Sequence, residues 1–457
     1  MSASKNRLYL DVLGSVINDF LTSRERREAL DGVRYYMGDH DILKRCRTAV
    51  GEGGGIVSLP KLPCARIVNN QYGRLIDQKV NYSLGHQLII SVEGEERGGK
   101  FTDELKKYFG AGSKAFWQRA ARDAMNCGHA WIYTYIDEAG EFKLKRFNPT
   151  MCVPLWSDEE HTVLDALIRL CPSERYEGRR KIGFDRAFVY SPEGTEEYLF
   201  EGGRLKPVPH GGSDSGGFHF CDAMGRGFLW DETPVVLMTY GGGGVSLIRG
   251  AKALQDGLNE LISEFADNMA EDARSTVLVL KNFDGQDLGE FRRNLASYGA
   301  VKVRSDGEGS GGVDTLSVDV NAENYESLRT ILNEALTEAC RGYDVSSDRM
   351  GSNPTNMNIL AVFSGIDLDT DGFESAMSET FDRIIGFLRS YLYYTGRGDY
   401  RFREAKIKCR RDLLVNEADV IDSLSDSAEM LSRRTAAELH PMIDDAELEL
   451  RRIKNEK

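Results

Sequence analysis

GGGGVSLIRGAKALQDGLNELISEFADNMAEDA, residues 241–273, decides the architecture of this 457-residue chain. Four consecutive glycines end a β-rich region, and an amphipathic pattern begins directly after them. Apolar side chains then recur on one stripe at helical spacing, which predicts one long helix over 245–273. At 1.5 Å per residue, this helix would span roughly 44 Å. The stripe consists of Leu247, Ala251, Leu254, Leu258, Leu261, Phe265 and Met269.

A second stripe on the same predicted helix is acidic. Its spacing of four, four, three and four residues places it nearly opposite the apolar stripe. The segment carries six acids against the two bases Arg249 and Lys252, which gives it a net charge of −4. An ordinary solvated helix face would show the same pattern, and that alternative stays open here. The stripe consists of Asp256, Glu260, Glu264, Asp267 and Glu271.

The part of the chain before the four glycines predicts helices followed by strands. Two helices are predicted over 4–37 with a break near Thr22–Ser23, and others over 67–84 and 113–126. The hydrophobic period then changes to two in 129–136 and 142–147, which predicts a hairpin. Short strands are expected to follow, so that 129–240 forms a mostly β region.

The part of the chain after the long helix predicts a small α/β insert over 275–319 and a second helix over 323–341. Residues 344–358, DVSSDRMGSNPTNMN, have almost no apolar content and predict a loop. A further helix is expected over 359–394, with a kink around 365–372, and more helices from Asn416 onward. The fold class predicted by this mixture is α+β.

Composition narrows the classes of function. The net charge is −14 and the pI about 5.2, whereas proteins that grip nucleic acid usually present a basic surface. Transient contact with a moving duplex stays compatible with this charge. No long apolar run predicts a membrane helix, and the first residues lack the apolar core of a signal peptide. Eight cysteines without a CxxC pair favour inert thiols in a reducing cytoplasm.

Two short motifs raise alternatives of another class. Residues 307–312 contain GxGxxG, but a nucleotide-binding fingerprint opens a helix, whereas a strand is predicted to follow here. Asp367, Asp369 and Asp371 match the start of a calcium loop, yet Ser378 stands where a bidentate glutamate is required. A hairpin loop and an acid-rich helix segment are the favoured interpretations. A metal-binding enzyme and a generic multidomain scaffold remain as alternatives.

The order of the predicted elements resembles the bacteriophage portal (head–tail connector) protein family, in the branch typical of long-tailed phages. Three local stretches support the resemblance: YYMGDH over 35–40, NNQYGRLIDQKVNYSLG over 69–85 and DDAELE over 444–449. The resemblance covers nearly the whole chain. It implies a structural subunit that is not an enzyme and needs no cofactor.

The resemblance implies a portal-like multidomain fold with an α/β wing, long stem helices, a small α/β clip and a helical crown. In chain order, the implied parts are an N-terminal helical segment over 1–23, a wing over 24–244, a stem helix over 245–273, a clip over 274–319, a second stem helix over 320–343, a tunnel loop over 344–358, a long helix returning to the wing over 359–411, and a crown over 412–457.

By the same resemblance, about twelve copies would form a ring at the capsid vertex, a homododecamer through which double-stranded DNA is packaged and ejected. The implied partners are other copies of the chain, double-stranded DNA, the terminase large subunit, the major capsid and scaffolding proteins, and a head-completion or adaptor protein, with no membrane. The protein is expected in the virion, at the portal vertex, and in the host cytoplasm during assembly.

Three groups of residues are expected to carry this function. The five acids of the long helix would line the channel and repel phosphates, so that DNA slides instead of binding. The tunnel loop lacks the lysines that would grip a DNA backbone, and it would come closest to DNA through Asp344, Asp348, Arg349 and Asn353. The clip carries bases mixed with acids, and it would dock partners through Arg292, Arg293, Lys302 and Arg304.

Overall fold

The computed structural model describes residues 3–50, 56–58, 63–95, 99–177, 180–208, 218–221, 227–272, 277–281, 312–316, 322–344, 356–411, 417–427, 430–440, 442–443 and 446–455. Helices and strands alternate with long helical stretches, which confirms the predicted α+β class. The chain divides into two units. Unit 1 comprises Met1–Asp39, Asn70–Lys252 and Glu334–Lys457, and unit 2 comprises His40–Asn69 and Ala253–Asn333.

The elements are numbered here along the chain. The helices are α1 (Ala3–Thr22), α2 (Arg24–Tyr36), α3 (Gln71–Leu84), α4 (Lys100–Phe109), α5 (Lys114–Cys127), α6 (Ile248–Asp272), α7 (Ala322–Ala339), α8 (Asn356–Tyr394), α9 (Glu417–Asp426), α10 (Arg433–Leu439) and α11 (Ala446–Asn455). The strands are β1 (Thr48–Val50), β2 (Ile56–Ser58), β3 (Ile89–Val92), β4 (His129–Ile136), β5 (Phe142–Phe147), β6 (Cys152–Trp156), β7 (Leu164–Glu177), β8 (Arg180–Ser191), β9 (Gly194–Glu201), β10 (Arg204–Pro207), β11 (Phe220–Cys221), β12 (Gly227–Phe228), β13 (Val235–Thr239), β14 (Val277–Lys281), β15 (Gly312–Leu316) and β16 (Ala405–Lys408).

The helical start of unit 1 follows its sequence closely. The predicted break at 22–23 separates α1 from α2, and the Ser23 side chain caps α2 by accepting a hydrogen bond from the Arg26 N–H (3.1 Å). Helix α4 was not predicted, because it has only ten residues between two glycines. Its apolar side chains nevertheless recur every four residues, and Phe101, Leu105 and Phe109 are all buried.

The predicted β region over 129–240 is confirmed, although two of its strands are longer than expected. Strands β6 to β10 form one antiparallel sheet in the order β10-β9-β8-β7-β6, with β7 and β8 spanning 14 and 12 residues. A second antiparallel sheet has the order β13-β4-β5 and contains the predicted hairpin. Strand β16 pairs with the distant β3, a pairing that no local pattern could reveal.

The core of unit 1 lies on both sides of the larger sheet. Leu13 and Ile17 of α1 pack on one face against Ile168, Val189 and Phe200. The opposite face meets the smaller sheet through a second cluster of large side chains. That cluster is built around Trp131, Phe147, Leu167, Tyr190 and Val235.

Helix α8 is the longest element of the described chain, with 39 residues. It begins at Asn356, within the segment predicted as a loop, and it continues as one helix through 365–372, the range in which a kink was expected. The buried side of the helix is apolar over most of its length. This side includes Phe363, Ile366, Phe373, Met377, Phe381, Ile384 and Leu388.

Unit 2 contains most of α6 and α7, the hairpin β1-β2 and the pair β14-β15. Phe265 of α6 stacks on Tyr325 of α7 at a ring-centroid distance of 3.9 Å. Strand β14 confirms the first strand of the predicted insert, while its predicted helix over 287–299 and strand over 300–304 lie outside the described residues. Gly312, the last glycine of GxGxxG, starts strand β15, as the hairpin interpretation requires. Residues 40–69, assigned to a wing from the sequence, belong to this unit.

The four-glycine turn before α6 packs on the end of α5 within unit 1. Gly128 ends α5 with φ +85°, and its carbonyl accepts a hydrogen bond from the Tyr240 N–H (2.9 Å). A Cβ at Gly128 would overlap the carbonyl group of Gly244. Leu247, after the turn, donates its N–H to the Met125 carbonyl (3.0 Å). These contacts fix the point at which α6 begins.

We expect Gly128→Ala to lower the free energy of unfolding by at least about 2 kcal/mol, because it combines a left-handed backbone with a backbone overlap. Gly243→Ala is the matched control, since Gly243 has no positive φ and open space around its Cβ position. Chemical denaturation of both variants measures the difference. Equal stability of the two variants would contradict the close packing of the turn on α5.

Candidate functional site

The outer face of α6 presents part of the predicted acidic stripe. Glu260 and Glu264 are exposed, and Asp256 is half-buried. The side chain of Glu271 lies outside the described residues. On the opposite side, Ala251 and Leu258 are buried, whereas Met269 near the end of the helix is exposed. The predicted division of the helix into an apolar and an acidic side is therefore clear in its first four turns.

Asp267 departs from the expected exposed stripe, since the residue is only 1% exposed. One carboxylate oxygen accepts a hydrogen bond from the backbone N–H of Ala65 (2.7 Å), and the other accepts one from Arg45 Nη1 (2.6 Å). The segment around Ala65, which is distant in sequence, thus covers Asp267. The helical period gave the correct side of α6 for Asp267, but it could not show that another part of unit 2 lies there.

An extended segment, residues 65–69, follows α6 through hydrogen bonds to a row of polar side chains that we call the polar ladder: Gln255, Asn259, Ser263 and Asp267. The backbone N–H groups of Ala65, Ile67 and Asn69 donate to Asp267, Ser263 and Asn259 at 2.7, 3.0 and 2.9 Å. Gln255 Nε2 then donates to the Asn69 carbonyl (2.7 Å). Two residues of extended chain advance roughly 6.6 Å and four helical residues about 6 Å, so the two repeats match.

Sequence reasoning missed the polar ladder, although a signal for it is present. Short polar residues recur every four positions from 255 to 267, between the apolar and the acidic stripes. His40 extends this network: it is buried, and its Nδ1 lies 2.8 Å from Asn259 Nδ2. An amide nitrogen can only donate, so the Asn259 amide donates to His40 Nδ1. His40 is the last residue of the stretch YYMGDH, which therefore ends at the polar ladder.

Arg45 reduces the negative charge that the acidic stripe presents. Its guanidinium binds Asp267 and Glu260 (3.0 Å), and it lies 3.9 Å from Glu264. Burial lowers the pKa of Arg45, but the hydrogen bond that Arg45 donates to Asp267 and the charge of Glu260 raise that pKa overall. The net charge of −4 counted along the helix is therefore partly neutralised within unit 2.

The expected tunnel loop has a defined base in unit 1. Gln78 clamps Tyr343 at both backbone groups: its Nε2 donates to the Tyr343 carbonyl (2.8 Å), and its Oε1 accepts from the Tyr343 N–H (3.0 Å). The Tyr343 ring packs on Phe363 of α8 at a centroid distance of 4.3 Å. Residues before and after the loop therefore meet. Asp344 is half-buried beside this base, while Asp348, Arg349 and Asn353 lie outside the described residues.

The three aspartates of the calcium-like motif diverge, because they lie on α8. Asp367 and Asp371, four residues apart, share one side of the helix and both bind Arg411, at 2.5 Å each. Asp369 points to the other side and binds the buried Lys79 (2.6 Å). A calcium loop needs converging carboxylates, so this geometry does not fit the metal-binding alternative. Within the described ranges, no three His, Cys, Asp or Glu side chains are grouped as metal ligands.

Asp369 instead organises a buried cluster. Tyr240 donates its hydroxyl to the carboxylate (2.8 Å), and Arg341 approaches its other oxygen (3.3 Å). Burial lowers the pKa of Lys79, although the charge of Asp369 opposes this shift, and burial together with Asp369 raises the pKa of Tyr240. On the opposite side of α8, burial and a hydrogen bond to Asp367 raise the pKa of Tyr82 to about 12.

The bases of the expected docking surface, Arg292, Arg293, Lys302 and Arg304, lie outside the described residues. Among the helices that the structure describes, none combines the length and the apolar character that a membrane span requires. The charged groups of the described site are held in ion pairs and hydrogen bonds between helices and loops. This arrangement stabilises the fold and positions the loop base and the acidic face.

The chain combines long helices, a β-rich region and an acidic helix face, the mixture on which the resemblance to the class of phage portal proteins was based. The chain belongs to the family described as "Phage portal protein, SPP1 Gp6-like", whose model matches residues 20–457. The portal protein of Clostridium phage phiCD119 is 24% identical over 438 residues, covering 92% of this chain and 91% of that protein. The portal protein of Bacillus phage SPP1 is 24% identical over an alignment of 462 positions, covering 97% and 86%. The resemblance to phage portal proteins found in the sequence is therefore confirmed.

We expect Asp267→Ala to cost about 3 kcal/mol of stability, because it leaves the Ala65 N–H without an acceptor and removes the buried carboxylate that the half-buried Arg45 binds. Glu264→Ala is the matched control, since its carboxylate is exposed and lies farther from Arg45, and it should cost less than about 1 kcal/mol. Thermal or urea unfolding of the two variants provides the comparison. The polar ladder would lose its assigned role if Asp267→Ala were as stable as the control.

Proposed function

We propose that this chain is the portal subunit of a tailed phage and forms a ring-shaped channel at the capsid vertex. DNA would pass through the channel during packaging and again during ejection. The ring would first dock the terminase large subunit and later the head-completion and tail proteins. The match of the family model over residues 20–457 is the observation that carries this proposal.

The proposed channel face is the acidic stripe without the buried Asp267. In a closed ring of about twelve copies, each α6 would turn Asp256, Glu260, Glu264 and Glu271 toward the axis. Fixed negative charge repels phosphate groups, so a duplex would slide past this wall without a lasting contact. Asp267 would contribute differently, because its carboxylate is buried and holds the segment 65–69.

The proposed tunnel loop and clip complete this assignment. The loop would approach DNA through Asp344, Asp348, Arg349 and Asn353, from a base that Gln78 and Phe363 hold. The clip would meet the motor and its successors through Arg292, Arg293, Lys302 and Arg304. Bases interspersed with acids suit partners that must be exchanged, because charge complementarity governs specificity and association rate more than affinity. Major capsid and scaffolding proteins would surround the ring in the virion.

We expect the purified chain to form closed rings with a central hole wide enough for duplex DNA. Negative-stain images show whether a ring forms, and native mass spectrometry measures its copy number. About twelve copies are expected, and a ring with one copy more or fewer is also compatible with the proposal. Monomers across all salt and protein concentrations would contradict the proposal. Glu264→Gln should assemble normally, because an exposed carboxylate contributes little to packing.

We also expect deletion of residues 347–353 to leave the ring intact and to impair DNA packaging or retention. The deleted residues are mostly polar, and in sequence they lie between Tyr343 and Phe363, where the loop base is held. The measurement is the amount of nuclease-protected DNA per particle in a packaging assay, with Gln78→Ala as a variant that loosens the base without shortening the loop. Normal DNA packaging by the deletion variant would contradict the assignment of these residues to a tunnel loop.

A further inference from the structure

A groove in unit 1 lies between the second half of α8 and the segment that joins β12 to β13. Its volume of about 450 Å³ is within the range of sites that hold a ligand of a few residues. The floor is aromatic, because the ring of the buried Trp230 meets the ring of Phe387 edge-on at a centroid distance of 5.3 Å. The residues of this groove belong neither to the acidic stripe nor to the loop base.

The segment that joins β12 to β13 runs antiparallel to α8 along the groove. Phe228 faces Tyr394 near the end of the helix at a ring-centroid distance of 6.2 Å, whereas Trp230 faces Phe387, which is seven residues earlier on the helix. The residues that follow Trp230 therefore lie toward the other end of the groove. From Asp382 to Tyr394 the groove follows twelve residues of α8, a length of roughly 18 Å.

The two ends of the groove differ in chemistry. One end is apolar, and its side chains Tyr394 and Leu229 are 58 and 43% exposed. The other end is acidic. Its carboxylates belong to Asp231, Glu232 and Asp382.

The acidic end carries negative charge that the described chain does not neutralise. Arg383 is the one base among the described residues that line the groove, and its Nη2 donates to the Thr162 carbonyl on the adjacent turn (3.0 Å). Three acids against one base give the lining a net charge of −2. Within the described residues, none of the three carboxylates accepts a hydrogen bond or forms an ion pair.

The surroundings of Asp382 favour its neutral form. Burial raises the pKa of this carboxyl, and the charge of Glu379 adds to the shift. The charges of Arg389 and Lys406 oppose the shift without cancelling it. A raised pKa means that the carboxylate is under-compensated in the folded chain. A cation entering the groove would therefore gain from Asp382 an attraction that the fold itself leaves unused.

Two small residues keep the middle of the groove open. A Cβ at Gly386 would meet no atom within 4 Å. The other serines of α8 donate their hydroxyls to a carbonyl of the preceding turn, as Ser378 does to Glu374 (2.9 Å). The Ser390 hydroxyl has no partner within the described residues. The groove thus offers both space and a hydroxyl to a polar backbone that enters it.

We propose that this groove binds a short segment of another protein, with an arginine side chain at the acidic end and an apolar side chain at the Tyr394 end. Arginine fits because its planar guanidinium binds carboxylates through several donors and also stacks on aromatic rings. At 3.3 Å per residue, about five extended residues cover the groove. Nucleic acid does not fit, because its phosphates would meet a lining of net negative charge.

The end of α8 shows the same recognition within the chain. The guanidinium of Arg401 lies 3.6 Å from the ring centroid of Tyr393 and binds Asp399 (2.8 Å). Arg397 combines the ring of Tyr391 with an ion pair to a glutamate in the same way. A ring and a carboxylate together thus already hold arginines beside the groove. The groove presents these two partners to an arginine from outside.

The probe is a blocked pentapeptide with leucine at one end, arginine at the other and three alanines between them, prepared in both orders. The matched peptide carries citrulline, which has the shape of arginine without its charge. Calorimetric titration of the full chain measures both affinities. We expect the citrulline peptide to bind at least about tenfold more weakly, because it loses the charge-assisted hydrogen bonds.

Variants place the binding in the groove. Asp382→Asn should weaken the arginine peptide about fivefold or more, and the citrulline peptide much less. Glu379→Gln is the matched control, since Glu379 is exposed on the same helix one turn away and does not line the groove. Gly386→Leu should weaken both peptides, because its side chain fills the open middle. The melting temperature of each variant checks that the fold is kept, and Asp382→Asn decides the test if Gly386→Leu unfolds.

The outcomes separate the occupants. Tighter binding of the arginine peptide that Asp382→Asn weakens and Glu379→Gln does not supports the inference. Equal affinity for the two peptides, equal binding by the two variants, or no saturable binding up to about 1 mM overturns it. Spermidine that displaces the peptide as well as unlabelled peptide does would also overturn it, because a free polyamine would then suffice. All lining residues come from one copy, so these results do not depend on whether the chain forms rings.

Discussion

The buried carboxylate of Asp369 is the interaction on which the organisation of unit 1 depends. It receives Lys79 from α3, the Tyr240 hydroxyl from the chain just before the glycine turn, and Arg341 from the segment after α7. Removing Lys79 would leave the buried carboxylate without its buried countercharge. One side chain of α8 thus contacts α3, the chain just before the glycine turn and the segment that leads to the loop base.

Charge counted along the sequence differs from charge presented at the surface of this molecule. Arg45 binds Asp267 and Glu260 of the acidic stripe, and Arg411 binds Asp367, Asp371 and Glu374 of α8. In both places one arginine gathers several acids of one helix, because the guanidinium offers five donors in a fixed plane. The acids that remain exposed on α6 are therefore fewer than the sequence suggests, and only these are available for the proposed repulsion of DNA.

The sequence predicted the elements well wherever one local period controlled them. The helices around residues 22–23, the β region over 129–240 and the long helix after the four glycines all follow from spacing and turn residues. The polar ladder could not be predicted in the same way, because the segment 65–69 lies almost 200 positions before the helix that binds it. The acid-rich stretch 367–371 was ambiguous for a related reason: alternate acids converge in a loop but diverge on a helix, and only the continuous α8 decides between these cases.

The mixed composition of the first half of α8 explains why it was hard to interpret from sequence. Exposed apolar residues such as Leu360 and Leu368 alternate there with acids such as Asp371, so no single apolar stripe marks the core side. Small residues such as Gly365 and Gly372 then look like a kink, since glycine in an isolated helix lowers stability by about 1 kcal/mol relative to alanine. In the structure α8 nevertheless continues through both glycines, because its opposite side packs in the core with Phe363, Ile366 and Phe373. Tertiary packing of one helix face therefore outweighs the low helix propensity of the two glycines.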